Sequence, residues 1–207
     1  ELGYTQNLAK GSIAWVGFYR IRNNAILPYT VLDSNGVAHT RPENFGKALT
    51  YGGEVIGTYQ VASFYNFNLS FSAFQTTIED TGAGPDVTKG LFSWYTKLVN
   101  NFTVGKNGRL QITGNYTGPT ALPQGENVAV YFVDVGYQHK IMNGRGRIGA
   151  VITDLFNTQR TGLITSDTNF YFSRISKQDT RAILFTFGYT FGTSFKEKLM
   201  ENRFKND

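Results

Sequence analysis

The chain contains no cysteine, which removes disulfide frameworks, thiol catalysis and cysteine-ligated zinc or iron–sulfur sites from its chemistry. It also lacks any run of about 18 apolar residues, and its mean hydropathy is −0.26, so it is not a helical membrane protein. Only two histidines are present, His39 and His139. The glycine-rich stretch Gly82, Ala83, Gly84 lacks the Lys and Ser or Thr of a phosphate loop. With so few reactive groups, no enzyme and no cofactor are expected. Charge is scarce too, at 17% of 207 residues, and the 20 Lys and Arg behind the net +5 are scattered. They form no dense basic stripe, so nucleic acid is not an expected partner. Glu1 to Lys10 show no basic start followed by an apolar stretch, which reads as a cytosolic protein, a mature form or a fragment.

What the chain has instead is aromatic residues, 17 Phe and 12 Tyr, far from the composition of a disordered segment. They recur with period two. Ile183, Phe185, Phe187, Tyr189 and Phe191 alternate with Thr186, Gly188 and Thr190, the pattern of a strand with one apolar and one small or polar face. The same alternation occurs at Phe67, Leu69, Phe71 and Ala73, at Leu110, Ile112 and Tyr116, and at Tyr131, Val133, Val135 and Tyr137. Further strands are predicted around 2–9, 12–22, 45–61, 90–103, 146–156 and 171–192, roughly nine in all, with no segment of helical period.

The polar face is rich in Ser, Thr, Asn, Gln and Gly, and the strands are predicted at about 10 to 15 residues, against a usual 5 or 6. Both features suit an all-β, antiparallel, up-and-down transmembrane β-barrel, in which aromatic girdles flank an outward apolar band. Phe64, Tyr65, Phe102, Tyr116, Tyr131, Tyr137, Tyr189 and Phe191 are girdle candidates. The alternative is that they are core aromatics of a soluble β-protein.

Connections separate these readings. Short links at 10–11, 62–65, 105–108 and 143–146 alternate with long polar links at 23–44, 80–89, 118–126 and 157–170, as periplasmic turns alternate with extracellular loops. Asn107-Gly108 and Asn143-Gly144 are suited to the positive φ of hairpin turns. A count of about nine strands ending at the short-turn rim puts the first strand's start at the opposite rim, whereas bacterial barrels normally have even strand numbers. The reading is therefore the C-terminal part of a larger barrel over 1–192, followed by a charged periplasmic tail over 193–207.

Specific strings carry a resemblance. Asn44-Phe45-Gly46-Lys47-Ala48 followed by Tyr51-Gly52-Gly53-Glu54-Val55 is similar to a strand of TonB-dependent outer-membrane receptors. Gly114-Asn115-Tyr116 with Pro123-Gln124-Gly125, the stretch Val151 to Thr158, and Phe185 to Gly192 resemble motifs of the Bacteroidetes-type outer-membrane β-barrel family. The resemblance spans essentially the whole chain. It implies a bacterial, Gram-negative outer-membrane location and a receptor barrel of about 22 strands. It also implies an upstream plug and TonB-coupling segment, and active uptake of a nutrient such as a siderophore or glycan. The implied partners are outer-membrane lipid and lipopolysaccharide, the TonB complex, and a surface lipoprotein. The family's motif residues here are Tyr51, Gly52, Glu54, Asp154, Phe156, Asn157 and Phe191. The charged tail departs from the terminal aromatic expected of such a barrel, though Phe191 at the strand end could serve.

Candidate sites carry bland alternatives. Tyr29, His39, Arg41 and Arg160 lie in long links and are the candidate ligand contacts, against a plain reading as solvated loop residues. Glu54, if lumenal, could contact a plug, against pairing with a neighbouring Arg or Lys. Asp154 and Asn157 are read as bonding backbone at a strand exit, with Phe156 packing at the rim. Arg20, Arg22, Lys140, Arg145 and Arg147 lie near strand ends and could reach lipid phosphates, or simply snorkel. Two alternatives to uptake stand beside it: an outer-membrane structural or assembly barrel without transport, and a soluble ligand-binding all-β domain.

Overall fold

The computed structural model describes residues 1–79, 89–167 and 170–192. Thirteen strands occur among them: β1 (Leu2–Leu8), β2 (Gly11–Leu32), β3 (Ala38–Ala62), β4 (Tyr65–Glu79), β5 (Lys89–Val104), β6 (Gly108–Thr117), β7 (Thr120–Leu122), β8 (Gly125–Asn127), β9 (Val130–Ile141), β10 (Gly146–Thr153), β11 (Thr161–Asp167), β12 (Phe170–Ser176) and β13 (Ala182–Tyr189). Among the described residues, helix is confined to one 3₁₀ turn at Met142–Gly144. Nine strands form one antiparallel meander in the order β1-β2-β3-β4-β5-β6-β9-β10-β13, and the other four form a second sheet, β12-β11-β8-β7. Within the described residues β1 and β13 are the edges of the large sheet.

The register sorts side chains onto two faces, because successive residues of a strand point opposite ways. One row pairs Trp15 with Val55, Val55 with Phe71, and Phe71 with Thr96. It continues from Thr96 to Tyr116 and from Tyr116 to Tyr131. The next row on the opposite face runs Val16, Glu54, Ser72, Tyr95 and Thr117. The first face is apolar and aromatic, the second polar.

Aromatic side chains on the apolar face gather in two belts. Toward the short-turn rim Tyr65 stacks on Phe102 at 4.7 Å and Tyr59 meets Phe67 at 6.4 Å. Toward the long-loop rim Phe71, Trp94, Tyr116 and Tyr131 form a chain with centroid separations of 6.0, 4.1 and 6.5 Å. Tyr51 and Tyr59 stand eight residues apart on β3, about 27 Å along the strand, comparable to the ≈ 25 Å apolar band of an outer-membrane wall.

Several sequence expectations are corrected. The link 23–44 is mostly strand: β2 and β3 pair from Gly11↔Tyr59 to Leu32↔Ala38, leaving a turn only at 33–37. Pro28, Pro42 and the charged tip hid the alternation there. The links 118–126 and 157–170 contain β7, β8 and β11, which pair with one another. Residues 171–192 are two strands, separated at 177–181 and assigned to different sheets. Strand lengths spread from 3 to 25 residues, wider than expected. Asn143 and Gly144 have positive φ, but the left-handed residue of the 105–108 turn is Gly105, with neither Asn107 nor Gly108 in that region. The link 80–88 and the tail 193–207 lie outside the described residues.

Candidate functional site

The long-loop rim carries a small core of its own. Phe45 and Ile78 are 0% and 1% exposed, with Leu27, Tyr29, Ala48 and Ala121 packed against them. By plain alternation from Leu49 and Lys47, Phe45 would share the face opposite Ala48 and Ile78. The pairing skips Asn24, whose φ is 54°, and beyond this break the β2–β3 hairpin turns Phe45 to the Ile78 side. Burial of that cluster bends the hairpin toward the polar face, against β7.

The β7–β8 hairpin packs against β4 and β5, and its turn reaches the β2–β3 hairpin. The Thr30 N–H donates to Gln124 Oε1 at 2.8 Å, and Gln124 Nε2 donates to the Thr30 carbonyl at 2.9 Å. Gly125 lies against β11 so closely that a Cβ on it would come within 1.8 Å of the Ile164 carbonyl oxygen. Three loops thus become one body, with β8–β11 pairing extended by the Ser166 N–H bond to the Gln124 carbonyl.

Asp154, just beyond β10, organises the base of the third loop. It is 1% exposed, with φ 43°. Its Oδ1 accepts from the Thr158 N–H at 2.8 Å, and its Oδ2 from the Gln159 N–H at 3.0 Å and the Thr180 hydroxyl at 2.5 Å. Lys177 Nζ lies 3.6 Å away and also donates to Asn157 Oδ1. Burial pushes the carboxyl up, but the Thr180 hydroxyl, the two amides and Lys177 together bring it down to about 2. Asn157 adopts φ 54° and its N–H donates to the Asp154 carbonyl. Phe156 is 66% exposed and overhangs the apolar face.

The candidate ligand contacts are partly brought together. Tyr29 and Arg41 are cross-strand partners and His39 pairs with Val31, so three of the four share one hairpin, whereas Arg160 stands in the third loop. His39 Nε2 lies 3.1 Å from Asp33 Oδ2. The Val37 amide first, and His39 after it, hold Asp33 below the usual carboxylate range. Arg41 pairs with Glu43 at 2.6 Å. Tyr29 leans on Phe45. These contacts shape the hairpin, and Arg160, exposed in the third loop, takes no part in them.

On the polar face Glu54 accepts from the Tyr95 hydroxyl at 2.8 Å and from Ser70 at 3.4 Å. The pairing with Arg or Lys weighed from sequence is replaced by hydroxyl donors, because the strand register places Ser72 and Tyr95 in its row. Nearer the short-turn rim Gln111 donates to Asn101, and Asn101 to Asn66, each at 3.0 Å. These amides border a cavity of about 480 Å³ that also touches Arg109, Gln138 and Thr186. Gly52 meets β4 so tightly that a Cβ would fall 2.3 Å from the Ala73 carbonyl oxygen. Tyr51 stacks on Tyr19 at 6.5 Å, and Phe191 meets Tyr189 edge-on at 4.6 Å.

Lys140, Arg145 and Arg147 lie in or beside the 142–145 turn, whereas Arg20 stands nine residues into β2, bound to Glu1 and over the Phe18 ring at 4.5 Å. Sequence reasoning missed the roles of Gln124, Thr30 and Tyr95. Its motif Pro123-Gln124-Gly125 marked the first, without its partner 94 positions away.

No curated protein and no solved structure matches the chain. Residues 1–189 match the outer membrane protein beta-barrel family. With a match over nearly its whole length and a meander that is aromatic on one face and hydrogen-bonded on the other, the chain belongs to the outer membrane protein beta-barrel family and resides in the outer membrane.

Proposed function

We propose that this chain forms part of the wall and loops of a receptor-type barrel that imports a nutrient such as a siderophore or glycan, with energy supplied by the TonB complex. The observation that carries the reading is the polar face beneath a fused loop body. Glu54, Tyr95 and Ser70, and the amides of Asn66, Asn101 and Gln111, offer hydrogen bonds on the lumenal side. The Gln124 contact to Thr30 draws one loop across toward another at the mouth. Capture at the loops, followed by passage along a hydrogen-bonding wall, suits a polar solute on which no chemistry is done.

The edges β1 and β13 support a larger barrel, about 22 strands by family resemblance, closed by further strands. The same resemblance supports an upstream plug, a coupling segment for TonB and a surface lipoprotein partner. Outer-membrane residence sets aside the soluble ligand-binding domain.

The test uses the full-length protein in its native membrane. Heat-modifiable mobility of the outer-membrane band reports a closed barrel. Cells with and without the gene are then given radiolabelled ferric siderophores or fluorescent glycans, before and after a protonophore. Gene-dependent, protonophore-sensitive accumulation is expected. Equal accumulation in both cell types, with a heat-modifiable band, overturns uptake in favour of a structural or assembly barrel.

A further inference from the structure

The apolar wall is notched. Gly114 occupies the apolar face of β6 between Leu98 of β5 and Val133 of β9, and a Cβ built there meets nothing within 4 Å. The missing side chain opens a depression of about 330 Å³, bounded by Leu98, Tyr116, Tyr131, Val133 and the overhanging Phe156. Trp94 stacks on Tyr116 beside it. Glycine weakens a strand interior and often marks close approach by another group. No atom of the described residues fills this space, and Phe156 leans over it although Asp154, two residues earlier, is buried.

We propose that the Gly114 notch seats one acyl chain of an outer-leaflet lipopolysaccharide. The proposal rests on the reading of this face as lipid-facing, which the two aromatic belts and the family support. The notch lies in the belt toward the long loops, the external rim of such barrels, where the lipid of the outer leaflet is lipopolysaccharide. Its lining is almost wholly apolar, suited to an alkyl chain and offering nothing to a polar headgroup. Charge is supplied close by along the chain. Arg160 follows Thr158 of the notch edge by two residues and is exposed, with no ion-pair partner among the described residues. Arg pairs well with phosphate. The neighbouring cation Lys177 is already held by Asn157 and Asp154. An acyl seat, and two residues along the chain from its edge an exposed guanidinium, match the two ends of a lipid A unit.

The test extracts the full-length protein from its native outer membrane in mild detergent and measures retained 3-hydroxy fatty acids and phospholipid fatty acids per protein. Gly114→Leu, which fills the notch, and Phe156→Ala, which removes its overhang, are each expected to lower retained lipopolysaccharide several-fold while heat-modifiable mobility is kept. Arg160→Ala is expected to lower it in a salt-sensitive way. Unchanged retention in both Gly114→Leu and Phe156→Ala overturns the proposal, as does a lipid fraction that is phospholipid only. Should Gly114→Leu fail to assemble, the loop variant Phe156→Ala still decides. The lipid-facing reading is checked separately with bromine-labelled acyl chains, whose quenching of Trp15 and of Trp94 is read as the loss of quenched signal in the Trp15→Phe and Trp94→Phe variants against the unsubstituted protein. Quenching of both with unmoved lipopolysaccharide discards the notch alone, and quenching of neither discards the face.

Discussion

The side-chain amide of Gln124 binds the backbone of Thr30 as a neighbouring strand would, accepting from its N–H at 2.8 Å and donating to its carbonyl at 2.9 Å. Thr30 is 4% exposed and Gln124 7%, so water does not compete for either group. Gln124→Ala leaves a buried donor and acceptor unmatched, a cost of about 1–3 kcal/mol for each group left unsatisfied. The expected outcome is faster amide exchange at Thr30 and earlier proteolysis of the β7–β8 hairpin, with the heat-modifiable barrel intact. Unaltered exchange would show that the hairpins are held by the Phe45 and Ile78 cluster alone.

The Asp154 carboxyl gives the third loop a defined acid limit. It titrates at about 2 in the folded protein, against about 3.9 for an unperturbed aspartate. A depressed folded value means that its stabilisation is complete above the unfolded value and is lost as pH falls through about 2. Amide exchange at Thr158 and Gln159 should stay slow from pH 7 to about 4 and rise toward pH 2. Asp154→Asn should raise exchange already at neutral pH and flatten this dependence.

Glycine substitutions should divide sharply by position. At Gly52 a methyl group would sit 2.3 Å from the Ala73 carbonyl oxygen, and at Gly125 1.8 Å from that of Ile164. Gly52→Ala should part β3 from β4 and reduce the amount of heat-modifiable protein. Gly125→Ala should part β8 from β11 and free the loops while leaving the wall assembled. Gly114→Ala, with open space around it, should leave both unaffected. Folded yield and loop proteolysis of the three variants, measured side by side, check the ordering.

Removal of the Tyr95 hydroxyl takes away the shorter of the two hydroxyl bonds to Glu54. A hydrogen bond to a charged group contributes about 1.5–3 kcal/mol, so Tyr95→Phe should lower unfolding stability in detergent micelles by that order. Glu54→Gln should lower it less, since an amide still accepts. A double-mutant cycle isolates the pair, and purely additive effects would show that the bond adds nothing to the wall.

Much of the wall was legible because its information is local. Phe67 to Ala73 and Ile183 to Phe191 alternate strictly, and alternation alone fixes which residues share a face. The short turns were legible for the same reason, since few residues can reverse two strands. Residues 23–44 were not, because Pro28, Pro42 and a charged tip interrupt the alternation although the ladder continues to Leu32↔Ala38. The end of the chain merged two strands because 171–176 is aromatic like 182–189, while their separation into different sheets depends on β11 and β10.

Local alternation is enough to specify an antiparallel wall with one aromatic and one polar face, because side-chain direction repeats every two residues and needs no distant partner. That Gln124 reaches Thr30, that Glu54 meets Tyr95, and that Asp154 gathers Thr158, Gln159, Thr180 and Lys177 follows from the assembled fold. Those bonds join positions as far as 94 residues apart. They arise only after the strands are in register and burial has made an unpaired polar group costly.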